Sequence, residues 1–468
     1  MVFSSHVFLF YFLPLALVLY YASPRAVKHL SLTLMSYVFY GWWNPWLIYL
    51  MFGSTLVDFA CGKLITADNA TVRQRKTGLW ISILVNLSVL AFFKYAGFFA
   101  GNVHAIAGTD FPTWVYTIPL PVGISFYTFQ SMSYSIDLYR GDARPCRSFV
   151  DFMCYVSMFP QLVAGPIVRY GSVAEQLRSR IHSVEGFVAG FTRFNYGFAK
   201  KILLANPMGA IADVCFNAGE GSLGPMAAWL GVTAYAFQIY FDFSGYSDMA
   251  LGLGRMFGFK FPENFNSPYR SHSITDFWRR WHISLSSFLR DYLYIPLGGS
   301  RIRPSRTYAN LMIVMLIGGL WHGAQWTFIA WGLIHGGMLA IERMSGKDSF
   351  YRRLPNPLKI AITFVIVLIS WVFFRAENFD VAGRYLGAMF GLNETVAGNQ
   401  QLLTAYILRP INLVWFSLSA IVIWAVPRVP RILSDLTAWK VVLGLVLLAI
   451  AVMMMWTQGF NPFLYFQF

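Results

Sequence analysis

The sequence predicts an all-α polytopic membrane protein. Three observations carry that prediction. Only 12% of the 468 residues are charged and 57% are hydrophobic, whereas soluble domains carry about 25% charged residues. Apolar runs recur along the whole length of the chain. Basic residues gather in some of the stretches between runs and are missing from others, the asymmetry that orients membrane proteins.

The first run, Val7–Ala22, has no basic segment before it. It ends in Tyr20-Tyr21-Ala22-Ser23-Pro24, a poor cleavage site, so it reads as a retained first helix rather than a signal peptide. Leu30–Tyr40, Pro45–Phe59, Gly78–Phe93, Pro119–Tyr134, Phe149–Val168 and Gly224–Tyr240 follow. After a polar interval come Leu311–Leu320, Trp326–Ile341, Ile360–Phe374, Ile411–Val426 and Val441–Trp456. Several are shorter than the ~20 residues of a perpendicular span, so about 11 to 13 membrane-embedded helices are expected, some of them re-entrant. Short helices interrupted by Gly, Pro and charge belong where protein or a wet cavity covers the backbone.

The loop Ala67–Thr77, with Arg73, Arg75 and Lys76, and the segment Arg428–Lys440 are expected on the cytoplasmic side. Gly97–Pro119, Ala212–Ala227 and Phe390–Ile407 contain no Lys or Arg and read as loops on the far side, the periplasm for a bacterial inner membrane. The net charge of +15 therefore does not indicate a nucleic-acid partner. Part of it is expected to meet anionic lipid headgroups. Cys61, Cys146, Cys154 and Cys215 show no metal spacing and read as small buried hydrophobes. The polar interruptions are too short for a soluble core. Residues 1–468 are read as one integral membrane domain, with residues 225–345 as its catalytic core.

From Phe241 to Arg306 polar, charged and aromatic residues crowd together. Thr275 or Ser273 is placed to cap a helix running to about Arg290. Phe277, Trp281, Ser284, Phe288 and Tyr292 recur on it at helical spacing. Asp276 and Arg280 are at i, i+4 and suited to pair. Asp242 and Asp248 lie where an apolar run ends, suited to orient a substrate or to pair with Arg279 or Arg280. The cluster Arg279, Arg280, Arg290, Arg301, Arg303 and Arg306 suits either the phosphates of a cytoplasmic donor or anchoring on the positive side.

His322 sits in Gly318-Gly319-Leu320-Trp321-His322-Gly323, between apolar runs. An imidazole there costs several kcal/mol unless it has partners or a task, and ionisable groups at membrane depth mark function. The task it suits is general-base catalysis of acyl transfer. The alternative is a buried structural histidine. His282, after Trp278-Arg279-Arg280-Trp281, is either a second site residue or an interfacial histidine, and His335 suits packing. Trp281 and Trp321, each just before a histidine, join Asp242, Asp248, Asp276, Arg279 and Arg280 as candidate substrate- or donor-binding residues. No histidine set has metal-ligand spacing, and Ser125 in Val122-Gly123-Ile124-Ser125-Phe126 lacks the second glycine of a nucleophile elbow.

Together these segments resemble the membrane-bound O-acyltransferases, most strongly the branch that acetylates bacterial exopolysaccharides such as alginate or cellulose. The resemblance is carried by Met1–Ser5, Tyr37–Trp43, Phe93-Lys94-Tyr95, Pro121–Tyr127, Phe159–Pro166, Tyr240–Asp248, Asp276–Ser286, Arg290-Asp291-Tyr292, Gly318–Gly323 and Asn461–Phe468. It implies a ring of helices around a central funnel, with His322 as the essential histidine and His282 as the second. It also implies a relay. Acetyl groups from a cytoplasmic donor, expected to be acetyl-CoA, meet His322 and leave on the periplasmic side, where a partner acetyltransferase completes transfer to sugar hydroxyls. No permanently bound cofactor is implied. A teichoic-acid or lipid acyltransferase remains an alternative at the level of the motif histidines. A polysaccharide or lipid transporter predicts internal repeats and a continuous polar pore, and neither is visible.

Overall fold

The computed structural model describes residues 1–301, 303–346 and 349–459. The closing motif Asn461–Phe468 lies outside the described residues. All regular structure among those described is helical. Among the described residues, four helices are long and apolar enough to cross a membrane: Leu47–Thr66, Val72–Ala107, Asn356–Arg375 and Ala438–Thr457. A fifth span forms if Ala397–Ile407 and Pro410–Trp424, bent by 58°, are taken together. Many of the other apolar runs fold as shorter or broken helices, as Phe149–Ser157 does.

The chain forms two compact units. The first comprises Met1–Phe194 and Met249–Pro262. Its longest helix, Val72–Ala107, begins with a reciprocal cap in which Thr71 and Gln74 satisfy each other's backbone N–H. At 36 residues it is about 54 Å long, well beyond a hydrocarbon core of ~30 Å. Inside this unit the buried Asp58 accepts hydrogen bonds from Ser82 at 2.6 Å and Asn86 at 2.9 Å. A carboxylate at membrane depth is tolerated because such donors surround it.

The second unit comprises Asn195–Asp248 and the described residues from Glu263 onward. Its centre is the antiparallel pair Pro304–His322 and Trp326–Met344. Their backbones touch at Gly319, where an added Cβ would lie 2.3 Å from the Phe328 carbonyl oxygen. The helix Asn356–Arg375 packs beside this pair. There Thr327 donates to the Ala376 carbonyl at 3.1 Å.

Two expectations need correction. The helix expected from Ser273 to Arg290 is two helices, Ile274–Arg280 and Ile283–Leu289, followed by a wider helical turn Arg290–Tyr294. The break falls at Trp281-His282, because neighbouring chain offers this backbone other partners: Asn264 O accepts from Ile283 N at 2.9 Å and Arg280 O from Asn266 N at 2.9 Å. The basic-free segments are also not plain loops. Helices reach Ala107 and Phe216, and Ala397–Ile407 is helical.

Candidate active site

His322 is the last residue of its helix. Gly323 leaves it in extended conformation, and a Cβ there would lie 2.1 Å from the Phe328 ring. The helix therefore stops against an aromatic wall, with the imidazole at the end of the helix. Three rings enclose it: Trp321 at 5.0 Å between centroids, Phe374 at 5.1 Å and Trp331 at 5.3 Å. Trp331 is fully buried and Phe374 is 4% exposed. His322 itself is buried, with 5% exposure.

His282 is the second ring of this nest, 6.5 Å from His322, 5.9 Å from Trp321 and 4.7 Å from Phe243. It is fully buried. Its backbone is left-handed, with φ 43° and ψ 55°, a region that costs an L-residue about 1–2 kcal/mol. The side chain helps to hold it there. The Asn264 amide oxygen accepts from His282 Nδ1–H at 3.2 Å, from Ser284 Oγ–H at 2.9 Å and from Ser284 N–H at 3.2 Å. Asn264 in turn donates to Ser247 Oγ at 3.2 Å. One amide thus ties three chain segments around the histidine.

His335 is a packing residue, in line with the sequence reading. Trp278 Nε1–H donates to its Nδ1 at 3.2 Å, and its Nε2 lies 3.1 Å from Ser370 Oγ. The Ser370 hydroxyl proton is given to the Val367 carbonyl. His335 must therefore carry its proton on Nε2 and donate it to Ser370.

Each candidate carboxylate is held by a cation. Asp242 pairs with Lys201 at 2.7 Å, both nearly fully buried, and Asp248 pairs with Lys200 at 2.7 Å. Their partners are thus these two lysines, and the expected pairing with Arg279 or Arg280 is not found. The reason is local: Lys200–Ala205 is a widened helical turn that offers both lysines to the helix Pro225–Met256, whereas Arg280 is already engaged. Arg280 Nε donates to Asp276 at 2.9 Å, as the i, i+4 spacing anticipated. Burial works to raise the Asp276 carboxyl pKa, but the Arg280 hydrogen bond and the His272 N–H outweigh it and hold it below the usual value. Ser273 caps this short helix through Asp276 N at 3.1 Å, and Glu342 receives the Ile274 and Thr275 N–H groups at 2.6 and 2.9 Å.

Trp281 is 2% exposed, stacked on Phe277 at 5.5 Å and 5.1 Å from Trp371. It supports the nest, whereas Trp321 forms part of its wall. Arg279 is exposed on the surface of its helix. Among the candidates, then, His322, His282 and Trp321 come together. Asp242, Asp248, Asp276 and Arg280 are engaged in ion pairs, Trp281 packs on Phe277 and Trp371, and Arg279 is exposed. Asn264, Phe243, Trp331, Phe374, Lys200, Lys201 and Glu342 were not among the sequence candidates, and Ser284 was read only as part of a helix face. The one local signal was Lys200-Lys201 inside the apolar stretch 194–216, where two cations at membrane depth call for acids.

A family model described as MBOAT, membrane-bound O-acyltransferase family, matches residues 76–375. The chain is 44% identical to the probable alginate O-acetylase AlgI of Azotobacter vinelandii, over 100% of both chains. It is 51% identical to the probable alginate O-acetylase AlgI of Pseudomonas aeruginosa, over 83% of this chain and 75% of that one. It is 38% identical to the peptidoglycan O-acetyltransferase of Helicobacter pylori, over 84% of this chain and 80% of that one.

Proposed function

Because this chain belongs to the membrane-bound O-acyltransferase family, we propose that it takes acetyl groups from a cytoplasmic donor and delivers them across a bacterial inner membrane for O-acetylation of an exopolysaccharide, with alginate the first candidate. The observation that carries this reading is the His322 nest: an imidazole at a helix end, walled by Trp321, Trp331 and Phe374, with the His282 ring 6.5 Å away. The relatives named as alginate O-acetylases support the choice of polymer.

Acetyl-CoA is the proposed donor. An acceptor hydroxyl gives its proton to the His322 imidazole as its oxygen attacks the thioester carbonyl. The tetrahedral adduct collapses, the carbon–sulfur bond breaks, and the CoA thiolate takes the proton from the imidazolium. The aromatic walls keep water away from the activated acyl group. His282 is a positioning residue in this scheme, acting through Trp321 and Phe243 rather than on substrate. Arg279, exposed on the short helix, is the residue proposed to meet donor phosphates. A periplasmic partner acetyltransferase then carries the acetyl group to the polymer. Similarity to a peptidoglycan O-acetyltransferase gives a second reading, in which the final acceptor is a cell-wall sugar hydroxyl.

The test is sidedness. Protein in sealed vesicles, with sites facing both ways resolved by protease accessibility, is offered labelled acetyl-CoA inside or outside. Label release from the cytoplasmic face alone, lost in His322→Gln, fits the reading. Equal use of acetyl-CoA from both faces, or turnover unchanged in His322→Gln, contradicts it.

A further inference from the structure

The second unit contains a slot of about 720 Å³, within the ~300–1,000 Å³ of small-ligand sites. Leu203, Leu204, Leu418, Val422, Leu443 and Leu447 form its walls, with Trp415 and Tyr240 among the aromatic lining. Four basic residues line it as well: Lys200, Arg428, Arg431 and Lys440. No carboxylate does.

Two of those cations are already neutralised. Lys200 pairs with Asp248 at 2.7 Å, and Lys440 pairs with Asp435 at 3.0 Å. Arg428 and Arg431 are exposed, and neither has an ion pair among the described residues. They sit on Pro427-Arg428-Val429-Pro430-Arg431, where two prolines restrict the backbone. Arg270 pins the start of this loop, donating to the Ile423 carbonyl at 2.8 Å and the Val426 carbonyl at 2.9 Å. The rim therefore carries two guanidiniums on a restrained backbone.

The slot opens at a level the side chains mark as the membrane interface. Trp439 is 60% exposed and Val442 57% on the spanning helix Ala438–Thr457. An exposed tryptophan beside arginines is the pattern of an interfacial belt. Basic pockets between spanning helices on that side receive lipid phosphates.

We infer that this slot holds one anionic phospholipid, an acyl chain between the Leu418/Val422 and Leu443/Leu447 walls and the phosphodiester against Arg428 and Arg431. The aliphatic walls suit a hydrocarbon chain. They offer few hydrogen-bond partners for the sugar and base of a nucleotide donor, which would leave those groups buried and unsatisfied. Two unneutralised guanidiniums select a headgroup with net negative charge over a zwitterion.

The test is native mass spectrometry of the full-length protein in mild detergent, with phosphatidylglycerol and phosphatidylethanolamine of matched chains. Preferential retention of phosphatidylglycerol is expected, reduced about tenfold in R428A/R431A. Leu418→Trp, which fills the slot, should lower retention of both lipids, with the thermal midpoint reporting that each variant stays folded. Equal retention of the two lipids, no loss in R428A/R431A, or displacement of phosphatidylglycerol by free acetyl-CoA would overturn the proposal.

Discussion

The amide oxygen of Asn264 lies 3.2 Å from Nδ1 of His282 and accepts a hydrogen bond from its N–H, fixing the ring that sits beside His322. Asn264→Ala removes the acceptor that the buried His282 and Ser284 donors share. The expected cost is about 1–3 kcal/mol, read as a lower thermal midpoint of the purified protein, together with reduced acetyl transfer. An Asn264→Ala protein with wild-type stability and turnover removes the positioning role assigned to His282.

The left-handed backbone at His282 makes a second prediction. Asn visits this region several-fold more readily than other residues, and a β-branched residue is an outlier there. His282→Asn should therefore fold and keep partial activity. His282→Val should lose stability beyond what removal of the imidazole costs. Comparable unfolding midpoints for the two variants contradict the backbone argument.

The buried pair Lys201–Asp242, at 2.7 Å, separates bracing from substrate binding. Removing one partner leaves an uncompensated buried charge, so Lys201→Met should destabilise by about 3–5 kcal/mol. The double variant K201M/D242L should recover most of that loss and regain activity. Continued inactivity of a well-folded double variant would instead assign Asp242 a direct part in the reaction.

Gly319 and its neighbour Gly318 offer an internally controlled comparison. A Cβ at 319 would meet the Phe328 carbonyl at 2.3 Å, whereas one at 318 makes ordinary contact with Leu289 Cδ1 at 3.4 Å. Gly319→Ala should force the two central helices apart, at about 1–3 kcal/mol, with His322 displaced. Gly318→Ala should be tolerated. Activity assays at matched expression check this, and equal tolerance of both would mean that the helices are not held at this contact.

Much of the fold class was legible because it rests on bulk properties: few charges, repeated apolar runs and uneven loops. His322 was legible for a local reason, a titratable ring set among glycines inside apolar sequence. The break at His282 was not. Phe277, Trp281 and Phe288 keep helical spacing across it, and the partners that divert the backbone come from Asn264 and Asn266 in the segment before the helix. The lysine partners of Asp242 and Asp248 were missed because Arg279 and Arg280 are conspicuous within the same block, whereas Lys200 and Lys201 precede it by more than a helix. Phe374 and Trp331 have no signature in sequence, since an aromatic residue on an apolar helix looks the same facing a histidine ring or lipid.

The central claim is that His322 carries the acyl-transfer chemistry. Its most direct test is the acetyl content of the polymer made by cells whose only copy of this protein is His322→Asn, at wild-type membrane abundance. The account predicts that acetylation is lost while the protein inserts and unfolds like wild type. Normal acetylation under those conditions would contradict it.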